Sequence, residues 1–222
     1  MTGDGRWSTA ARAVADELWE AQHRHPVVRG IADGTLAVDR LERWVREDWC
    51  FLVDYARVLA FAAGRATELD AVARWAEVAH STLADELRLH RSYAAQFGIT
   101  EDELADHAPG RATAGYTDFL LRCAVAEPYE VLVAALLPCM WGFSEIGLRL
   151  AAEGAAPEDE RYRAWIGSYA DEGFAALAAW CRDEADRAAS RVDDAARAAM
   201  TRAFLRCSEH ELAFWDQVLQ DG

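Results

Sequence analysis

The sequence predicts an all-α protein, one multi-helix bundle in a single domain, and three features carry that prediction. Alanine and leucine recur throughout, apolar residues return at steps of three and four, and no stretch alternates with period two for long. The loop signals are short and sparse, at Gly34, Gly98, Pro109–Gly110 and Gly154.

Taken in order, the periodicity places helices over 6–24, 40–63, 67–97, 113–126, 128–152, 158–188 and 193–219, with ends good to about 2–4 residues. The first follows a few residues expected to be frayed. Asp39 with Glu42, Thr100 with Glu103 and Ser190 with Asp193 read as N-caps with an acid three positions on. Pro128 and Pro157 fall where first-turn prolines belong. There is no internal repeat, linker or low-complexity tail.

At 222 residues, 52% hydrophobic and 27% charged, the composition is that of an ordinary globular domain with a large core. Nine tryptophans must line either that core or a pocket. Basic and acidic counts of 23 and 38 give 23 − 38 = −15. Such a surface repels phosphate backbones and anionic lipid, so neither nucleic acid nor membrane is expected as a partner. No run of about 18 apolar residues and no basic start followed by an apolar stretch is evident, so neither a membrane span nor a secretory signal is expected. The five cysteines are widely spaced without a C-x-x-C pair, which points to reduced thiols in the cytoplasm rather than disulfides or structural zinc. The chain has no Lys and no Asn. That excludes a Schiff-base lysine, a phosphate-loop lysine and a Cys-His-Asn triad.

On a 3.6-residue wheel three acids interrupt apolar stripes. Asp48 lies between Trp44/Val45 and Leu52, Glu86 between Thr82 and Leu89, and Glu211 between Cys207 and Phe214/Trp215. An unpaired buried charge costs several kcal/mol, so each must be tied to a basic group, line a polar pocket, or bridge a metal. Arginines on the same faces are too few to answer all three. Within Leu136-Leu137-Pro138-Cys139-Met140-Trp141 a proline sits inside a helix, at a cost of about 3 kcal/mol. Strain of that kind is kept where something is gained. Cys139 shares its stripe with Leu132, Leu136, Phe143 and Ile146. A cysteine on an apolar stripe is more often inert packing, but a proline-broken helix and nearby buried acids make this one a candidate nucleophile. The other four read as packing. Glu86 and His90 form an acid-x-x-x-His step that could ligate metal. The second such pair that di-metal bundles need is missing, so His90 reads as an orienting or surface residue and no metal is expected.

These segments resemble the thiaminase II (TenA) family. The similarity runs through His25–Leu36, Trp44–Asp48, Glu86–His90, Ala134–Trp141, Trp165–Tyr169 and Glu211–Trp215, in that order. It implies a haem-oxygenase-like helical bundle, assembled as a homotetramer, that hydrolyses thiamin or its aminopyrimidine degradation products without a cofactor. In the resemblance Cys139 matches the nucleophile, Glu211 the proton shuttle, and Asp48 the acid that grips the aminopyrimidine edge. Tyr116 and Tyr169 match pocket-lining tyrosines. Phe51 and Phe143 stand where many members carry tyrosine, which makes the binding edge here less polar. Alternatives from the same residues are a relative with altered substrate in specialised metabolism and a di-metal oxidase using Glu86, His90, Asp48 and Glu211. A non-catalytic binding or regulatory protein is a further alternative.

Overall fold

A computed structural model describes residues 5–220, and every regular element among them is helical. The first residues, expected to be frayed, lie outside the described residues. Helix α1 (Trp7–Val14) gives way at Ala15, whose φ of −89° and ψ of 6° leave helical geometry, and α2 (Asp16–His23) follows with Asp16 and Glu17 in its first turn. The single helix expected over 6–24 is therefore two. No glycine or proline marks the break. Helix α3 (Pro26–Asp33) fills a stretch without a predicted helix. His25 caps it by accepting from the Val27 N–H, Pro26 occupies the first turn, and Gly34 closes it at φ 70°. That proline-first, glycine-last arrangement is the helix asymmetry itself, compressed into eight residues.

Helix α4 (Val38–Arg65) is the longest, and Asp39 lies inside its first turn rather than at its cap. Helix α5 (Leu69–Ser81) runs through a π-helical turn (Thr82–Glu86) into α6 (Leu87–Gln96). The short α7 (Glu101–Ala105) starts on a full capping box between Thr100 and Glu103, as the sequence signalled. Helix α8 (Arg111–Ala126) precedes α9 (Tyr129–Ala152), which continues through Pro138. The helix expected over 158–188 is likewise two, α10 (Glu160–Tyr169) and α11 (Glu172–Ser190). Asp159 and Asp171 cap them through their side chains. Pro157 lies in the preceding loop, beside Gly34. The last helix, α12 (Asp194–Leu219), is capped by Asp193, which accepts from the Ala196 N–H at 2.9 Å. Ser190 instead ends α11, its hydroxyl donating to the Arg187 carbonyl at 2.7 Å.

The helices gather into two compact units. The first comprises residues up to Ala37 and 130–215, so it holds α1 to α3, nearly all of α9, α10, α11 and most of α12. Helix α1 packs on α11 and α10 on α3. Trp19 is buried at the centre, stacked on Phe204 with ring centroids 5.8 Å apart, its indole N–H donating to Ser208 at 3.0 Å. The Tyr162 hydroxyl donates to the Leu36 carbonyl at 2.6 Å, tying α10 to the end of the α3 connection. The second unit, 38–129 with 216–222, is built on α4, against which α5, α6 and α8 pack. Trp44, Tyr55, Trp75 and Tyr116 are its largest buried side chains.

Helix α9 corrects one expectation. It has an 18-residue window of mean hydropathy 1.7, long and apolar enough to cross a membrane, and 83% of that window is buried inside the fold. Glu130, Glu145 and Arg149 punctuate it, which hides the run from a simple count of consecutive apolar residues.

Gly147 sets how closely α9 approaches the end of α10. A Cβ there would stand 2.4 Å from the Tyr169 carbonyl carbon and 2.6 Å from the Ala170 nitrogen, and backbone cannot swing aside. Gly147→Ala should therefore cost about 1–3 kcal/mol of stability, displace Tyr169 and lower Tm in a thermal melt. An unchanged Tm would show that the two backbones are not held this close.

Candidate active site

In the first unit the candidates come from α9, α10 and α12. Cys139 and Phe143 are one helical turn apart on α9, and Glu211 and Trp215 one turn apart on α12. The Phe143 and Trp215 rings meet with centroids 5.3 Å apart. This contact fixes α9 against α12 one turn from Cys139 and one turn from Glu211. Tyr169, the last residue of α10, lies 4.8 Å from the Phe143 ring and 4.8 Å from Trp165. Phe143, Tyr169, Trp165 and Trp215 thus form one aromatic cluster, all 7% exposed or less. Glu211 is buried, as its stripe predicted.

The cysteines differ among themselves. Cys123, Cys181 and Cys207 are buried, while Cys139 and Cys50 keep intermediate exposure. Burial, with Glu47, Asp54 and Asp48 adding to it, pushes the Cys50 thiol up to about 11, and burial pushes Cys123 to about 11 as well. Neither is a thiolate near neutrality. Cys139 keeps access and follows the proline whose missing N–H cannot bond the carbonyl of Ala134.

In the second unit α4 carries Asp48, Phe51 and Tyr55 on successive turns of its buried face. Phe51 lies 5.1 Å from the Tyr55 ring and 4.9 Å from Tyr116 on α8. Asp48 is paired: its Oδ2 stands 2.6 Å from His90 Nε2. The expected surface option for His90 is wrong; it is 1% exposed and the orienting option is the one its geometry fits. The reason is the π turn. An i to i+5 turn inserts one extra residue, so the inward stripe beyond it runs Leu87, His90, Tyr93 and Ala94, and Leu89, expected inside, is 37% exposed. Nε2 faces Asp48, and Nδ1 lies 3.0 Å from the Glu86 carbonyl oxygen. Among the described residues no group of three His, Cys, Asp or Glu side chains could hold one. The geometry does not favour the di-metal reading.

Sequence reading missed Glu47. It is 3% exposed and accepts from the Gly110 N–H at 2.9 Å and the Thr113 hydroxyl at 2.6 Å, with His107 Nε2 3.3 Å away. Gln217 donates to Thr113 Oγ1 at 2.9 Å and accepts from the Ala112 N–H at 2.7 Å. This network pins the N-terminus of α8, one turn before Tyr116, to the residue preceding Asp48. Only the adjacency of two acids hinted at it, and Gly110 and Thr113, which donate to Glu47, are 63 and 66 positions away.

Glu86 keeps intermediate exposure as a whole residue, yet burial of its carboxyl raises the pKa from the ordinary 4.5 to about 7, with Asp48 adding to the rise and His90 opposing it. The folded state therefore holds this proton while the unfolded chain releases it near 4.5. The penalty is absent below that pH, grows as pH rises to about 7, and is complete above it. Glu86→Gln has no such penalty, so its stability relative to the parent should improve by about 1–3 kcal/mol between pH 4.5 and pH 8. Denaturant melts at both pH values measure the gap; a gap independent of pH would contradict the buried carboxyl.

Against this geometry stand the known proteins. The TENA/THI-4/PQQC family model matches residues 12–221, through both units. An aminopyrimidine aminohydrolase from Halalkalibacterium halodurans is 34% identical over 207 residues, 93% of this chain and 92% of that protein. A solved TenA family transcription regulator from Silicibacter sp. TM1040 superposes with a TM-score of 0.91 at 26% identity, covering 98% of each chain. A domain of unknown function with a heme oxygenase-like fold from Shewanella denitrificans superposes at 0.69 with 11% identity, over 95% of this chain and 89% of that one, and supports the fold alone. On the full-length match and on the 34% identity, the chain belongs to the TENA/THI-4/PQQC family.

Proposed function

We propose that the chain is an aminopyrimidine aminohydrolase of the thiaminase II type, in which Cys139 is the nucleophile and Glu211 the proton shuttle. The observation that carries it is the partly exposed Cys139 behind Pro138. The ring contact of Phe143 with Trp215 ties its helix to the helix of the buried Glu211.

The chemistry asks for these groups. A pyrimidine is a poor electrophile until an acid protonates or hydrogen-bonds a ring nitrogen. The Cys139 sulfur then adds to a ring carbon, and the group on the exocyclic methylene leaves with its bonding electrons, ammonia taking a proton from Glu211 and the thiazolium departing as neutral thiazole without one. Water adds to the methylene carbon while Glu211 takes back a proton. The carbon–sulfur bond breaks and hydroxymethylpyrimidine is released. Asp48 accepts from the amino group on the ring edge, and Tyr116, Tyr169, Phe51 and Phe143 line the ring. Phe51 and Phe143 meet Tyr116 and Tyr169 ring to ring, which supports a binding edge less polar than one with tyrosine at these two positions.

A net charge of −15 suits a small-molecule substrate better than a polyanion. Five widely spaced cysteines without a C-x-x-C pair support a reducing, cytoplasmic setting, and the family resemblance supports a homotetramer.

Cys139→Ser should abolish release of ammonia from 4-amino-5-aminomethyl-2-methylpyrimidine while retaining the fold and pyrimidine binding; full turnover in this variant contradicts the covalent route. Glu211→Gln should lower kcat by about 10²-fold or more with little change in KM, since a shuttle acts in the transition state. Asp48→Asn should mainly raise KM, because an acceptor on the ring edge acts in both states. Steady-state kinetics on the three variants give the answer, and the reverse pattern would exchange the two acids' roles.

A further inference from the structure

The surroundings of Asp48 say more than that it is acidic. Its Oδ2 is taken by His90 Nε2 at 2.6 Å. The other ring nitrogen, Nδ1, is 3.0 Å from the carbonyl oxygen of Glu86. A carbonyl only accepts, so Nδ1 keeps its hydrogen. At 2.6 Å, Nε2 and Oδ2 stand close enough for one proton to be held between them, which leaves the pair neutral as a whole. Both residues are buried, 1% and 4% exposed, and the Trp44 and Tyr93 rings stand 5.5 and 6.1 Å from the imidazole. The charged groups acting on His90 are Asp48 from α4 and Glu86 from the π turn. Burial alone would lower the imidazole's pKa; the two acids outweigh it, and the net direction is up.

We propose that His90 is the positioning residue of the pyrimidine site: it occupies one oxygen of Asp48, shares a proton with it, and leaves Oδ1 to meet the substrate. This rests on the reading of Asp48 as the acid on the ring edge. A lone acceptor oxygen whose neighbour is held by His90 selects a ring that donates an N–H at that edge. It rejects the analogue with a carbonyl there, which would set oxygen against oxygen. The π turn belongs to the device, because without its extra residue position 90 would turn off the stripe that faces Asp48.

The test has a ligand-free arm and a kinetic arm. In the unliganded wild-type protein near pH 7.5, ¹⁵N-edited NMR should find both His90 ring nitrogens protonated, with one proton far downfield that disappears in Asp48→Asn. Adding 4-amino-5-aminomethyl-2-methylpyrimidine should move that resonance. His90→Gln can still donate to Asp48 but cannot carry the proton. It should raise KM for this compound about tenfold, the scale of one charge-assisted hydrogen bond, with kcat changed less. The pH dependence of its KM between pH 5 and 8 should also differ from the parent's. A singly protonated His90 overturns the proposal. So does a His90→Gln variant whose KM and pH dependence match the parent. If Asp48→Asn leaves KM unchanged, the reading of Asp48 falls and takes this one with it; if only His90→Gln is silent, the reading of Asp48 stands alone. Should His90→Gln fail to fold, the wild-type titration decides, and a shared-proton resonance that ignores the pyrimidine overturns the proposal.

Discussion

A carboxylate on the inward face of a helix has to be answered by a partner, because an unpaired charge away from water costs more than most domains can spare. This chain carries several, and four of them have partners of different kinds. Asp48 has His90. Glu47 has the N-terminus of α8 and the Thr113 hydroxyl. Burial would raise the pKa of Glu145, but His23 and Arg12, at 3.0 and 2.8 Å, bring it down to about 2. Glu184 has Arg187 one turn along its own helix. All but the Glu184–Arg187 pair join segments that are distant in sequence. Among them the Asp48–His90 pair is the one that bears on chemistry, for it decides which oxygen of an acid is left over.

That view connects local backbone to reactivity in each unit. In the second unit a π turn of five residues sets the register of α6 and so brings an imidazole to Asp48. The capped start of α8 sets the position of Tyr116, whose ring meets Phe51 one turn beyond Asp48. In the first unit a proline breaks the hydrogen-bond ladder of α9 just before Cys139. Gly147, further along the same helix, lets the Tyr169 backbone approach closely enough for its ring to reach Phe143. Departures from ideal helix geometry cluster around the candidate residues, as expected where strain is kept for a purpose.

Much of this was legible in the sequence because a single helix face is a local property. The stripes of α4 and α12 exposed Asp48 and Glu211 as anomalies, and both are buried. Pro138 beside Cys139 was visible without any partner. The rest depended on signals with no residue signature. Nothing in Thr82–Glu86 announces a π turn, so the stripe was carried one residue out of register and His90 was left with a surface option. Nothing at Ala15 announces a break. Helix α3 is a different case, since Pro26 and Gly34 are helix boundary signals that enclose only eight residues, too few for periodicity to mark a helix. The partners of Glu47 are set by tertiary folding across 60 positions or more, which no periodicity encodes.

The central claim is that water replaces the group on the exocyclic methylene of an aminopyrimidine. The direct measurement is mass analysis of the product after turnover of 4-amino-5-aminomethyl-2-methylpyrimidine in ¹⁸O-labelled water. The account predicts a hydroxymethylpyrimidine carrying one solvent oxygen, with one ammonia released per product. Recovery of the unaltered pyrimidine from a protein that demonstrably binds it would contradict hydrolysis and leave a binding protein in its place.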